Sequence, residues 1–212
     1  MTIIEYEGKK YIFSLKSIII FPILTILITL VIWYGTDYLW EFTHKIVVEQ
    51  TVYVINFITK IGLTNLIIDY QKTSYGFEFL IPGKNNIGFE NACTGVQAIA
   101  IFAGFILSTP HSLDKDANKK IWLRKFIALI VSSTIFYLVN ILRMVIQLNL
   151  YYEGARWDDI HVSISAASSF IAAVIMILMH KWIPEFILSF IWIFAELKEF
   201  LNKKRIIKKE KL

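Results

Sequence analysis

FIALIVSSTIFYLVNILRMVIQ, residues 126–147, is a run of 22 residues carrying a single charge, Arg143. About 20 predominantly apolar residues cross the hydrocarbon core of a bilayer as a helix, and this run has that length. Its polar members are not scattered. Asn140, Arg143 and Gln147 fall at i, i+3 and i+7, so they share one helical face. A polar face at membrane depth turns toward other helices and not toward lipid. The run therefore predicts a span of an all-α multi-pass membrane protein, with chemistry built into its interior.

Working outward, three more apolar runs appear: Ser17–Tyr34, Ala92 to about Pro110, and Val162–Met179. The first follows Lys9, Lys10 and Lys16 and has no small-residue cleavage site after it, so it reads as a retained anchor. With 56% hydrophobic residues and a mean hydropathy of +0.57, a bilayer and not a soluble core must cover this surface. The net charge of +5 collects in short segments between and after the apolar runs, as membrane topology requires and nucleic-acid binding does not. No repeat of fixed period and no nucleotide-binding loop is visible. One membrane domain over 1–212 is expected, with a core at about 83–179 and a basic cytoplasmic tail at 202–212.

Charge orients the spans. His111–Lys125 holds Lys115, Lys119, Lys120, Arg124 and Lys125, whereas Leu148–Ile160 holds only Arg156 among Glu153, Asp158 and Asp159. The first segment is expected in the cytoplasm and the second outside, with both chain termini cytoplasmic. Tyr38–Leu63 carries Glu41, His44, Lys45, Glu49, Gln50 and Lys60. Each charge buried at mid-membrane costs about 2.5–3.5 kcal/mol on insertion scales, so an external helix lying on the membrane is expected. Phe186–Ala195 is apolar but short, and reads as an interfacial helix ahead of the basic tail. Between these, Phe77-Glu78-Phe79-Leu80-Ile81 alternates as a short strand does.

This topology brings three reactive residues to one depth. Cys93, the only cysteine, opens the second run, and His161 opens the fourth. Arg143 lies 17 residues beyond Phe126, roughly 26 Å into a core of about 30 Å. Each residue has a plainer reading: a lone apolar-helix cysteine is usually a small hydrophobe, an arginine near a helix end snorkels, and a histidine at a helix start is often structural. Their neighbours favour function. Cys93, Gln97, Ala100 and Gly104 form a largely small-residue stripe, and His161, Ser165, Ser168 and Ser169 form a hydroxyl stripe; such stripes let helices approach closely. Thiol, guanidinium and imidazole together support acyl transfer: a thiolate generated beside a base, an oxyanion held by a fixed cation, and a leaving amine protonated by the imidazole. One Cys and one His are too few for a closed zinc site, so no metal or other cofactor is expected. Two other readings stay open: a cysteine peptidase that only hydrolyses, and a non-enzymatic assembly factor whose polar faces bind helices.

Glu90-Asn91-Ala92-Cys93-Thr94-Gly95-Val96-Gln97, then Asn140-Ile141-Leu142-Arg143, then His161 opening the next span, resembles the exosortase/archaeosortase family of membrane cysteine transpeptidases over about Gly83–Met179. Cys-Thr-Gly in place of Cys-Ser-Gly points toward the archaeal branch. The resemblance implies exported protein substrates with a C-terminal tripartite sorting signal: a short motif, a transmembrane helix and a basic cluster. It implies Cys93 as the nucleophile that holds the cleaved substrate as a thioester, with a membrane lipid as the acceptor. Arg143 and His161 match the remaining catalytic positions, supported by Asn140, Gln97, Thr94 and Gly95. Some archaeal members carry an arginine at the third position, so Arg156, five residues before His161, is a second candidate for it.

Overall fold

The structure is a computed structural model that describes residues 2–210, without the side chains of Ala92 and residues 199–210. It is mostly helical. In chain order the elements are β1 (Ile4–Tyr6), β2 (Lys9–Tyr11), α1 (Leu15–Tyr38), α2 (Trp40–Lys60), β3 (Asp69–Thr73), β4 (Gly76–Leu80), β5 (Ile87–Phe89), α3 (Val96–Ser108), α4 (Ile121–Tyr152), α5 (Trp157–Leu178) and α6 (Pro184–Glu210). Leu15–Tyr38, Ile121–Tyr152 and Trp157–Lys181 are long and apolar enough to cross a membrane. The helix of the second run, α3, has 13 residues and extends about 20 Å, less than a hydrocarbon core.

The chain divides into two compact units. The first comprises Met1–Thr29, Ile101–Val131 and Ile177–Leu212. Its β1–β2 hairpin turns on Glu7 and Gly8, with φ of 49° and 72°, the positive values that a two-residue I′ turn needs at both positions. Tyr11, Phe13, Ile18, Leu188 and Trp192 make its core. Phe21, Phe105, Phe186 and Phe190 stack edge to face or tilted beside one another. Gly104 permits close helix approach: a Cβ there would lie 2.8 Å from the Thr25 carbonyl oxygen and closer still to Thr29 Oγ1.

Ionic groups complete this unit. The guanidinium of Arg124 makes a two-nitrogen fork on the fully buried carboxylate of Glu185, at 3.0 and 2.6 Å. Lys125, also buried, donates to the carbonyls of Leu107 and Thr109 at 2.9 and 2.8 Å. Those carbonyls lie at the C-terminal end of α3, where four C=O groups lack helical partners and a cation is favoured.

The second unit comprises Leu30–Ala100 and Ser132–Met176. The antiparallel sheet β3-β4-β5 pairs Phe77 with Phe89 and Phe79 with Ile87, giving one apolar face. Val47, Val48 and Ile55 of α2 and Met144, Val145 and Leu148 of α4 join that face in a single core, which also contains Cys93. Helix α2 is amphipathic: Glu41, Lys45, Glu49, Gln50 and Lys60 are exposed. The Asn56 side chain closes a two-bond clasp with the backbone of Ile68, at 2.9 and 3.0 Å.

Several expectations need correction. The fold is not purely α, because five short strands form two small sheets; the strand expected at Phe77–Ile81 is present as β4. The second helix begins at Val96, not Ala92, because Asn91–Cys93 forms a 3-10 turn and Gly95 takes a left-handed conformation ahead of it. Helix α4 starts at Ile121, so Arg124 and Lys125 belong to the helix and are held by Glu185 and two carbonyls, not loose in a basic loop. The apolar segment after Pro184 continues as one helix to Glu210; of the basic tail, residues 211 and 212 lie outside the described residues.

Candidate active site

The site grows from the backbone around Cys93. Asn91–Cys93 makes one 3-10 turn, with the Cys93 N–H donating to the Glu90 carbonyl at 2.8 Å. Thr94 closes the turn: its N–H and its hydroxyl both donate to the Asn91 carbonyl, at 3.1 and 2.7 Å. The Val96 N–H then donates to Thr94 Oγ1 at 3.2 Å, which caps one free amide at the start of α3.

Gly95 and Asn140 explain each other. Gly95 has φ +73°, a left-handed conformation in which a side chain is strained. A Cβ there would also stand 3.0 Å from Asn140 Cγ and 3.2 Å from Asn140 Cβ. That close approach lets Asn140 Nδ2 donate to the Cys93 carbonyl at 2.8 Å, a bond buried from solvent. The Cys-Thr-Gly turn and the Asn-x-x-Arg face of α4 are thus one interlocked unit. Asn140 fixes the main chain of the residue that carries the thiol.

One helical turn from Asn140, Arg143 is buried, and no hydrogen-bond partner among the described residues meets its Nε. With His161, Gly95, Gln97, Phe136 and Ser165, it lines a cavity of about 420 Å³. His161 sits half-buried against the Trp157 ring, with centroids 5.5 Å apart, and its Nδ1 is buried with no partner among the described residues. The Ser165 hydroxyl is likewise buried without a partner. Cys93 is buried two residues from Gly95, and is not among the residues that line the cavity. Burial pushes its thiol above the ordinary range; a backbone hydrogen bond at Glu90 and the charge of Arg143 pull it back.

The expected residues thus fall into three groups. Gly95, Gln97, Arg143 and His161 surround one cavity, while Cys93, Thr94 and Asn140 form the hydrogen-bonded turn next to Gly95 and do not line it. Arg156 is elsewhere: it is exposed and faces Asp159 at 3.9 Å. Among the described residues no cluster of three or more His, Cys, Asp or Glu side chains gathers to hold a metal.

No protein-family model, curated protein or solved structure matches this chain.

The site's capabilities follow from its own groups. A cation and a half-buried imidazole line one cavity, the thiol is buried two residues before Gly95 of its wall, and the Arg143 Nε–H and Ser165 hydroxyl, without partners among the described residues, can bond an incoming carbonyl. His44 is one of the polar residues of the segment Tyr38–Leu63, expected to lie on the membrane surface. In the structure it is buried, and its Nε2 meets Asn91 Oδ1 at 2.5 Å. A signal was present: His44 occupies the same helical face as Val47, Val48, Thr51 and Ile55, and an imidazole on an apolar face needs a hydrogen-bond partner.

Proposed function

We propose that this chain is a membrane cysteine protease-transpeptidase of the exosortase/archaeosortase type. The observation that carries the reading is the lock between Gly95, Asn140 and the Cys93 carbonyl, which fixes the turn that bears the thiol next to Gly95, itself part of the wall of the cavity lined by Arg143 and His161.

In this reading His161 takes the thiol proton and the Cys93 sulfur attacks the carbonyl carbon of a scissile peptide bond. Arg143 holds the developing oxyanion with a fixed charge in a poorly solvated site. The C–N bond breaks, the amine leaves with the proton from His161, and the substrate's new carboxyl end stays on sulfur as a thioester. A nucleophile on a membrane lipid then attacks that thioester; its proton passes to His161, the C–S bond breaks and the thiol is restored. Leu148–Ile160 holds one basic residue, Arg156, so the positive-inside rule assigns the site to the external face, with four crossings that count α3 and cytoplasmic termini. The substrates are exported proteins with a C-terminal motif, helix and basic cluster. His161, inside the cavity, takes the third role in preference to the exposed Arg156.

The test is Cys93→Ala in membranes that hold normal amounts of the protein. Processing of a tailed substrate is expected to stop, with the wild type trapping a covalent Cys93–substrate adduct. Undiminished processing by Cys93→Ala would refute the reading and favour an assembly role. Product mass separates transfer from hydrolysis: an added lipid on the new carboxyl end supports transfer, and a free carboxyl end supports a peptidase.

A further inference from the structure

Asn91 begins the turn that carries Cys93, and its side chain is held from two sides. Its Nδ2 donates to Asp37 Oδ1 at 2.7 Å, and its Oδ1 lies 2.5 Å from His44 Nε2. A carboxylate only accepts, so the nitrogen of the amide must face Asp37 and its oxygen must face His44. His44 Nε2 therefore carries a proton and donates it. The tautomer is fixed by the network, and the remaining nitrogen, Nδ1, is buried with no partner among the described residues.

The ring is also fixed in orientation. Trp40 and Phe89 pack edge-on against it, with centroids 5.6 and 5.2 Å away. The same Asn91 accepts two hydrogen bonds from Thr94 on its main-chain carbonyl. Asn91 is thus anchored by its side chain to Asp37 and His44 and by its main chain to Thr94, so it ties the start of the turn to the residue after Cys93. Asn140 holds this turn at the Cys93 carbonyl; His44 and Asp37 hold it at the opposite end.

We infer that His44 is a positioning residue for Cys93: through its Nε2–H bond to Asn91, braced by Asp37, it fixes the 3-10 turn that presents the thiol. The consequence for processing rests on the reading of Cys93 as nucleophile; the consequence for the turn does not. A plain core role predicts something different, because phenylalanine would then fill the place between Trp40 and Phe89 equally well.

Two substitutions divide these cases in the full-length chain. His44→Phe keeps the aromatic packing and loses the donor, whereas His44→Gln keeps an N–H donor and loses the imidazole. The readouts are the rate of Cys93 alkylation by N-ethylmaleimide and the kcat and KM for a tailed substrate. In His44→Phe the buried thiol should become about fivefold faster to alkylate, the local opening that one lost hydrogen bond allows. Its kcat should fall about tenfold or more from the misplaced nucleophile, with KM little changed. His44→Gln should stay within about threefold of wild type on both. Asp37→Ala, at an exposed position that folding tolerates, should move alkylation in the same direction as His44→Phe.

Wild-type alkylation in both His44→Phe and Asp37→Ala would overturn the inference. So would a His44→Gln variant as impaired as His44→Phe, since the imidazole itself and not its donor would then be required. Because alkylation reads the turn without any substrate, a failure of the transpeptidase reading leaves this result standing, and the reverse also holds.

Discussion

The two units differ in how many buried polar atoms they leave unpaired. In the first, Arg124 forks onto Glu185 and Lys125 is held by two carbonyls, and three buried atoms, Asn118 Oδ1, Arg124 Nε and His180 Nδ1, lack partners among the described residues. In the second, Asn140 Oδ1, Arg143 Nε, His161 Nδ1, Ser165 Oγ and both amide atoms of Gln147 are buried without partners among the described residues. A buried polar atom left unpaired costs about 1–3 kcal/mol. A fold that tolerates several in one place stores that cost where another molecule can relieve it. The first unit pairs its buried ionic side chains; the second leaves the larger number of buried polar atoms without partners among the described residues.

The largest effects should therefore differ in kind between the units. Glu185→Ala leaves the partly buried Arg124 guanidinium without its carboxylate, and about 1.5–3 kcal/mol of stability should be lost. The double variant Arg124→Met/Glu185→Leu should regain most of it in a detergent unfolding assay. Arg143→Gln should do the reverse, leaving unfolding within about 1 kcal/mol of wild type while processing falls about 10²–10³-fold. The Arg143 charge lowers the Cys93 thiol, so its loss should also move the alkylation profile to higher pH. Collapse of the fold in Arg143→Gln, with activity per folded molecule intact, would erase the contrast.

Two glycines give a finer comparison. Gly104 is a packing glycine in the first unit, crowded by Thr25 and Thr29, and Gly104→Ala should lower stability by about 1–3 kcal/mol through overpacking. It should leave the rate of Cys93 alkylation per folded molecule unchanged. Gly95→Ala should cost a similar amount, from its left-handed backbone and from pressure on Asn140. It should also change the alkylation rate, because Asn140 holds the Cys93 carbonyl. Gly154→Ala is the control: its φ is +109° but nothing lies within 4 Å, so only backbone strain is added. Equal alkylation in all three variants would separate the Gly95–Asn140 contact from the thiol.

The helical outline was legible because hydropathy and helical period are local signals. The polar face Asn140-Arg143-Gln147 was visible for the same reason, and so was the amphipathic α2, whose charges are all exposed. Features set by tertiary partners were not. The Ala92 boundary failed because Gly95 adopts its conformation to fit Asn140, 45 positions away in the chain. Arg124 and Lys125 read as solvated loop charges because Glu185 and the end of α3 are remote in sequence. His44 needed Asn91 to gain meaning.

Gln147 gives the smallest expected effect and the sharpest sign. It is fully buried, both amide atoms are unpartnered, and Met144 and Leu148 beside it belong to the apolar core. Methionine matches its length and volume without the amide, and removing a polar group that has no partner is neutral or stabilising. Gln147→Met should raise stability by about 1 kcal/mol, read as a higher midpoint of thermal unfolding in detergent. Paired groups in the first unit cannot show that sign: Ser108→Ala, at a hydroxyl that meets Thr25 Oγ1 at 2.6 Å, should lower the midpoint. If Gln147→Met also lowers it, the amide is satisfied by something from outside the chain. The unpaired groups of the second unit would then be evidence of occupancy in the resting protein, and the cost assigned to them would have to be withdrawn.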